Sequence, residues 1–252
     1  TGVTWHLLPG NHDAHRPGGV WERLAALGPP ENVLLHLTAE PVALALLAVL
    51  VPAPRTSRAE TRDLTARMDD TPTPAGTIRI GLAHGAVTRF GTPEAEGEAT
   101  NQIDPGRAQK AGLDYLALGD WHGMQRVDGR TWYSGTPEPD RFAANQPGHV
   151  LAVRIETVGG AIVVEPVRSA RYTWVSTTAE VAGMSDLEAL AARLVEAAGD
   201  PVRVLARVAL TGALAPGDIA AIEPWQETLA ARLRHIEVDT SLVTAWTGSG
   251  DI

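Results

Sequence analysis

Three apolar runs in this chain end alike, and that repetition limits what it can fold into. "VTWHLL" gives way to Pro9 and Gly10 and then to Asn11, His12 and Asp13; "TIRIGL" runs into His84 and Gly85; "LDYLAL" runs into Gly119, Asp120, Trp121, His122 and Gly123. Each run has the length and composition of a strand, and each is released by a glycine into a loop of oxygen or imidazole donors. Side chains at strand ends are where α/β proteins build their sites. Three such loops can converge on one point. In "GDWH" the donors Asp120 and His122 stand two apart, so in an extended segment both would point the same way and reach adjacent metal ions.

The remaining pattern is mixed α/β. "GGVWERLAALGPP" reads as a short helix closed by Gly28 and Pro29, and "NVLLHLT" and "LLAVLVPAP" read as strands. Helices are expected near Ala59 to Met68 and from Asp104 to Ala111, on either side of the "TIRIGLAHG" strand. "RTWYSGTPEPDRF" reads as a strand and a proline loop, and "HVLAVRIE" with "AIVVEPV" as a hairpin about "TVGG". After Ser169 the texture changes. "SDLEALAARLVEAAG" has a capping box in Ser185 and Glu188 and apolar positions at helical spacing. "VRVLARVALTG" alternates, with Val202, Val204, Ala206, Val208 and Leu210 on one face. A helical stretch interrupted by Pro224 and the strand "IEVDTS" follow. The division is therefore 1–168 and 169–252, the second a small α/β unit.

Composition narrows the chemistry. Cysteine is absent, which excludes thiolate metal sites and fits a cytoplasmic protein. Any metal must use nitrogen and oxygen ligands. No apolar run reaches the roughly 18 residues of a membrane span, and no leader pattern is present. The net charge is −9, with 15 basic against 19 acidic residues up to Arg168 and 6 against 11 beyond it. Neither part carries the basic stripe of a protein that grips nucleic acid alone.

"GNHD", the loop histidine of "AHG", and "DYLALGDWHG" followed by "WYSGTPEPDRF" resemble the later motifs of the calcineurin-like metallophosphoesterases, in particular the SbcD-type DNA repair exonucleases. The resemblance covers roughly residues 1 to 168 and implies a β-sandwich flanked by helices; the later part is similar to the small α/β capping domain of those nucleases. It implies metal-dependent phosphodiester hydrolysis with two divalent ions, manganese being expected. Carried over, Asn11, His84 and Asp120 would bind the second metal and His122 the first, His12 would be the catalytic acid or charge stabiliser, and Asp13 would orient His12. The family usually has histidine where Asp120 stands; aspartate still suits a hard cation. Its partners would be DNA and an SbcC-like ATPase supplying basic surface, with a homodimer as a further expectation.

The family's Asp-x-His and Gly-Asp-x-x-Asp motifs do not occur ahead of "GNHD". The resemblance thus implies a C-terminal fragment, carrying about half of a two-metal site and inactive alone. The alternatives are hydrolysis of a smaller phosphoester and a non-catalytic scaffold subunit. His6, His36, His149 and His235 read as core or surface residues, and His15 lies near the motif but outside it. The carboxylates of "PEAEGE" read as a solvated loop, and Trp121, Trp132 and Trp225 as packing residues.

Overall fold

The computed structural model describes residues 2–45, 47–87, 102–142, 145–197 and 199–246. The "PEAEGE" segment lies outside them. The chain is mixed α/β and divides into two compact units, residues 1–136 with 149–168, and residues 137–148 with 169–252. Among the described residues no helix is long and apolar enough to cross a membrane.

The first unit opens with strand β1 (Trp5–Leu7), helix α1 (Val20–Leu27) and strand β2 (Val33–Leu35), and β1 pairs parallel with β2. Gly28 closes α1 in the left-handed conformation, as its sequence predicts. The central sheet is built from β3 (Val42–Ala45), β4 (Ala48–Ala53), β5 (Ile78–His84), β8 (Tyr115–Gly119), β9 (Gln125–Arg126) and β10 (Thr131–Tyr133) in the order β3-β4-β5-β8-β10-β9. Strands β4, β5, β8 and β10 run parallel, and β3 and β9 are antiparallel edges. Short strands β6 (Ala86–Val87) and β7 (Gln102–Ile103) pair in parallel, and the expected hairpin is β11 (His149–Ile155) with β12 (Ile162–Arg168). Val51, Met68, Ala83, Ile103, Ala108 and Leu116 form the centre of this unit's core.

Two expected helices are shorter than the sequence suggests. In place of a helix from Ala59 there is a 3-10 turn over Leu64–Asp69, because Asp63 caps it from its own side chain, accepting the Thr65 N–H at 2.9 Å. Residues ahead of it are held otherwise: Glu60 takes the Nε and Nη2 of Arg62 at 2.9 Å each. Helix α2 is a single turn, Arg107–Lys110, since Asp104 accepts the Gly106 N–H at 2.7 Å and so forms a turn where the helix would have begun. The buried Arg107 joins the two segments, reaching Asp63 at 2.7 Å and Asp69 at 2.6 Å.

The second unit is β13 (Thr173–Glu180), α3 (Met184–Glu196), β14 (Val204–Leu214), α4 (Pro216–Ala230) and β15 (His235–Ala245), with all three strands parallel in that order. Val204, Ala206, Val208 and Leu210 are fully buried and pack with Leu187, Leu190 and Leu194 of α3 and Ile222, Trp225 and Leu229 of α4. Both helices thus cover one sheet face. Val202 does not join this row, because Pro201 starts a 3-10 turn over Pro201–Arg203 that leaves it 61% exposed. The Ser185 and Glu188 capping box is not formed. Helix α3 starts two residues earlier than that box would set it, with Gly183 as N-cap, and Asp186 reaches back to the Ala182 N–H at 2.8 Å. Pro224 lies inside α4 without ending it.

Residues 137–148 belong to this unit through specific contacts. Glu138 accepts the backbone N–H groups of Arg171 and Tyr172 at 2.6 and 3.0 Å. Phe142 meets Trp174 edge to face, and the Arg207 guanidinium lies 4.4 Å from the Phe142 ring centroid.

Leu210→Ala should destabilise the second unit by about 2–5 kcal/mol through the cavity it leaves, whereas Val202→Ala should stay within about 0.5 kcal/mol. Urea midpoints at unchanged slope measure both. Equal losses would place Val202 in the core after all.

Candidate functional site

The segment leaving β1 is buried at Pro9 and Gly10 and then turns sharply. Three hydrogen bonds set its path. The Asp13 carboxylate accepts the Gly10 N–H at 2.7 Å, the Trp21 indole donates to the Asp13 carbonyl at 2.5 Å, and the His15 N–H donates to the Arg55 carbonyl at 2.8 Å. Asp13 therefore shapes the loop that bears His12 through the backbone and makes no hydrogen bond to the His12 ring. His12 itself is exposed.

This turn delivers the Asn11 amide to the ends of two parallel strands. Its Oδ1 lies 3.1 Å from His84 Nε2, at the end of β5, and its Nδ2 donates to Asp120 Oδ1, one residue past β8, at 3.2 Å. His84 Nε2 and Asp120 Oδ1 are 3.4 Å apart, with 22% and 26% of their side chains exposed. Three of the sequence-predicted donors are thus in mutual contact. Among the described residues no three His, Cys, Asp or Glu side chains gather into one group; the third donor here is an amide.

The His84 ring is confined between two glycines. A Cβ at Gly10 would fall 2.9 Å from His84 Cε1, and one at Gly119 would fall 2.9 Å from His84 Nδ1. Both glycines are there because the backbones of two loops must approach the imidazole closely. Asp120 has φ 113°, a conformation that costs a non-glycine residue on the order of 1–3 kcal/mol. The "GDWH" segment is consequently bent at its first donor. The extended geometry that would aim Asp120 and His122 the same way is not adopted. His122 lies on the following bend, exposed, and its carbonyl accepts the Thr136 N–H at 2.9 Å.

Two further residues shape the site. Arg55, two residues beyond β4, is fully buried and donates to the carbonyls of Ser57 at 3.4 Å and Arg58 at 2.8 Å. Burial lowers its pKa, while the charges of Asp120 and Glu60 oppose that shift. Its signal was present in "VPAPR", which ends a parallel strand on the same sheet edge as the other loops. Tyr133 of β10 donates to the Gly85 carbonyl at 2.7 Å and accepts the Val87 N–H at 3.0 Å, so it fixes the turn after His84. Burial pushes its phenol well above the ordinary range.

His84 Nε2 faces two oxygens, an arrangement satisfied by an N–H on that nitrogen or by a cation shared among all three groups. Ligand distances of about 2.0–2.2 Å put neighbouring donors roughly 3 to 3.5 Å apart. The observed separations, 3.1 and 3.4 Å from His84 Nε2, fit a divalent cation. Comparison of the chain with the models of known protein families and with curated proteins finds no match to either.

Gly119→Ala should displace the His84 ring and cost about 1–3 kcal/mol by overpacking. Chemical denaturation together with the His84 ring proton shifts in NMR checks it. An unshifted ring at wild-type stability would show that the two glycines do not confine it.

Proposed function

We propose that this chain carries part of a metal-dependent phosphodiesterase site in a calcineurin-like metallophosphoesterase unit of the SbcD exonuclease type, with DNA as substrate and residues 169–252 as its capping unit. The observation that supports this most is the meeting of Asn11, His84 and Asp120 at the ends of β5 and β8. An amide oxygen, an imidazole and a carboxylate form a donor set suited to a hard divalent ion, and manganese fits it. Such an ion supplies Lewis acidity toward a phosphoryl oxygen and an activated water.

The chain's own residues divide the remaining work. Asn11, His84 and Asp120 would hold the cation, and the Asp120 carboxylate adds negative charge to the site. His12, exposed on a loop whose backbone is tied down at Gly10 and Asp13, donates a proton or hydrogen bond to the leaving oxygen. His122 would serve the first metal of a two-metal site. With a net charge of −9, attraction for DNA would come from bound cations and from an SbcC-like ATPase partner. The scaffold reading rests on one feature: the described residues assemble three donors, one of them an amide.

Manganese titration by calorimetry, alongside hydrolysis of bis(4-nitrophenyl) phosphate, tests the assignment. His84→Ala and Asn11→Ala should each weaken manganese binding by about 10-fold or more. His12→Ala should leave binding intact and, where turnover is measurable, reduce it by about 100-fold. Manganese binding indifferent to His84 would overturn the site. Binding without any hydrolysis, even with an ATPase partner added, would favour the scaffold.

A second expectation concerns the capping unit. Removing residues 169–252 should leave manganese affinity within about threefold, since the three donors all belong to the first unit. Loss of the cation from a still-folded first unit would contradict that division.

A further inference from the structure

The two histidines that the sequence assigned to core or surface, His6 and His36, form a pair with properties of its own. Their Nδ1 and Nε2 atoms are 2.8 Å apart, and the rings lie within 5° of parallel with centroids 5.0 Å apart. A centroid separation nearly equal to the nitrogen contact plus two ring radii means that the rings are edge to edge in one plane. That is a hydrogen bond between imidazoles, with one nitrogen donating and the other accepting. His36 is 5% exposed. It is bonded to β1 a second time, its backbone N–H donating to the Leu7 carbonyl at 2.8 Å.

The pair joins a sheet with little else in it. β1 and β2 are matched over Trp5 to Val33, His6 to Leu34 and Leu7 to Leu35 and form a two-stranded parallel sheet. Two-stranded sheets are marginal without added support. Trp5 and Leu34, on this sheet, are 54% and 38% exposed, so apolar burial there is partial. Past Leu7, where β1 ends, the chain continues through Pro9 and Gly10 to Asn11, the residue that bridges His84 and Asp120.

We propose that His6 and His36 form an acid-sensitive latch that holds β1 to β2, and with β1 the loop bearing Asn11 and His12, and that opens when both rings are protonated. A neutral pair shares one N–H between two nitrogens. The first proton preserves the contact, because an imidazolium can donate to a neutral ring. The second removes the acceptor, leaving two N–H groups and two positive charges face to face.

The direction of the pH effect follows from burial. Burial lowers both rings below the ordinary value of 6.5, and the His6 charge lowers His36 further. Burial is the leading cause for both rings, and the His6 charge is the second for His36. Unfolded, each ring binds its proton near the ordinary value; paired, it binds only at lower pH. As pH falls below that value the opened form holds more protons, so the pairing loses stability with acid and is fully present above it. Release would withdraw Asn11 from His84, which couples the latch to the site without requiring any particular reaction there.

Amide exchange over residues 5–11 and 33–36, corrected for the intrinsic pH dependence of exchange, tests the latch in the full chain. In the wild type, protection should fall 10-fold or more between pH 7.5 and 5. In the His6→Phe/His36→Phe double variant, where both polar partners are replaced by rings of similar shape, it should fall less than twofold. An equal fall in both proteins overturns the proposal, as does constant protection in the wild type. If the double variant does not fold, the wild-type imidazole titration followed by NMR decides. Two coupled steps below 6.5, the second coinciding with loss of protection, support the latch. Independent titrations at the ordinary value overturn it. Neither readout uses a metal or a phosphodiester, so the outcome is separate from that of the proposed function.

Discussion

The Asn11 amide is the group on which the candidate site depends, because it brings a third segment of the chain onto both strand ends: its oxygen faces His84 and its nitrogen donates to Asp120. A side chain with one acceptor and one donor on the same carbon can bridge an imidazole and a carboxylate; an aspartate there would set two anions against each other. The bridge works only if the loop after β1 turns back over the sheet edge. That turn is enforced by the Asp13 carboxylate on the Gly10 N–H and by the Trp21 indole on the Asp13 carbonyl. Trp21 is the buried residue of α1, so the helix between β1 and β2 is anchored by the bond that shapes the loop.

Placing these groups together carries a cost that the surroundings offset. Asp120 is held at positive φ, and Arg55 is removed from water entirely. A buried guanidinium loses several kcal/mol of hydration, and the carbonyls of Ser57 and Arg58 return part of it. The charge of Asp120 acts in the same sense, opposing the effect of burial on the Arg55 guanidinium. Buried cation and strained anion therefore stabilise one another on the same sheet edge. Strain and buried charge cluster where structure has been kept for something other than stability.

Much of this was legible in the sequence, for definite reasons. The runs "TIRIGL" and "LDYLAL" became β5 and β8 because β-branched and leucine residues bounded by glycine fit a buried parallel strand. Asn11, His84 and Asp120 were recoverable because each follows such a run. What was not legible depended on side chains competing with the backbone. Asp63 and Asp104 diverted two expected helices into turns, and Asp186 displaced the expected Ser185 cap. Local spacing does not reveal which carboxylate wins such a competition. Nor does it reveal that Asp120 would take a left-handed backbone, which bends the segment at its first donor. Arg55 escaped notice because an arginine after a proline reads as a surface residue until burial is known.

The second unit shows how the same apolar logic can leave one face of a sheet to polar chemistry. Helices α3 and α4 take the face presented by Val204, Ala206, Val208 and Leu210, and alternation then forces Arg207 to the other side. There Arg207 meets the Glu237 carboxylate at 2.7 Å and the Phe142 ring, which in turn packs edge-on against Trp174. An exposed ion pair contributes little by itself. Stacking the guanidinium on an aromatic ring buries its flat face while its edge still reaches Glu237. Phe142 comes from the segment 137–148, far from Arg207 in sequence, so this contact and the Glu138 bonds to residues 171 and 172 fasten that segment to the second unit. The chain accordingly enters the second unit at Pro137, returns to the first for the β11–β12 hairpin, and crosses again at Ser169. The backbone therefore passes between the units three times, after Thr136, Gly148 and Arg168.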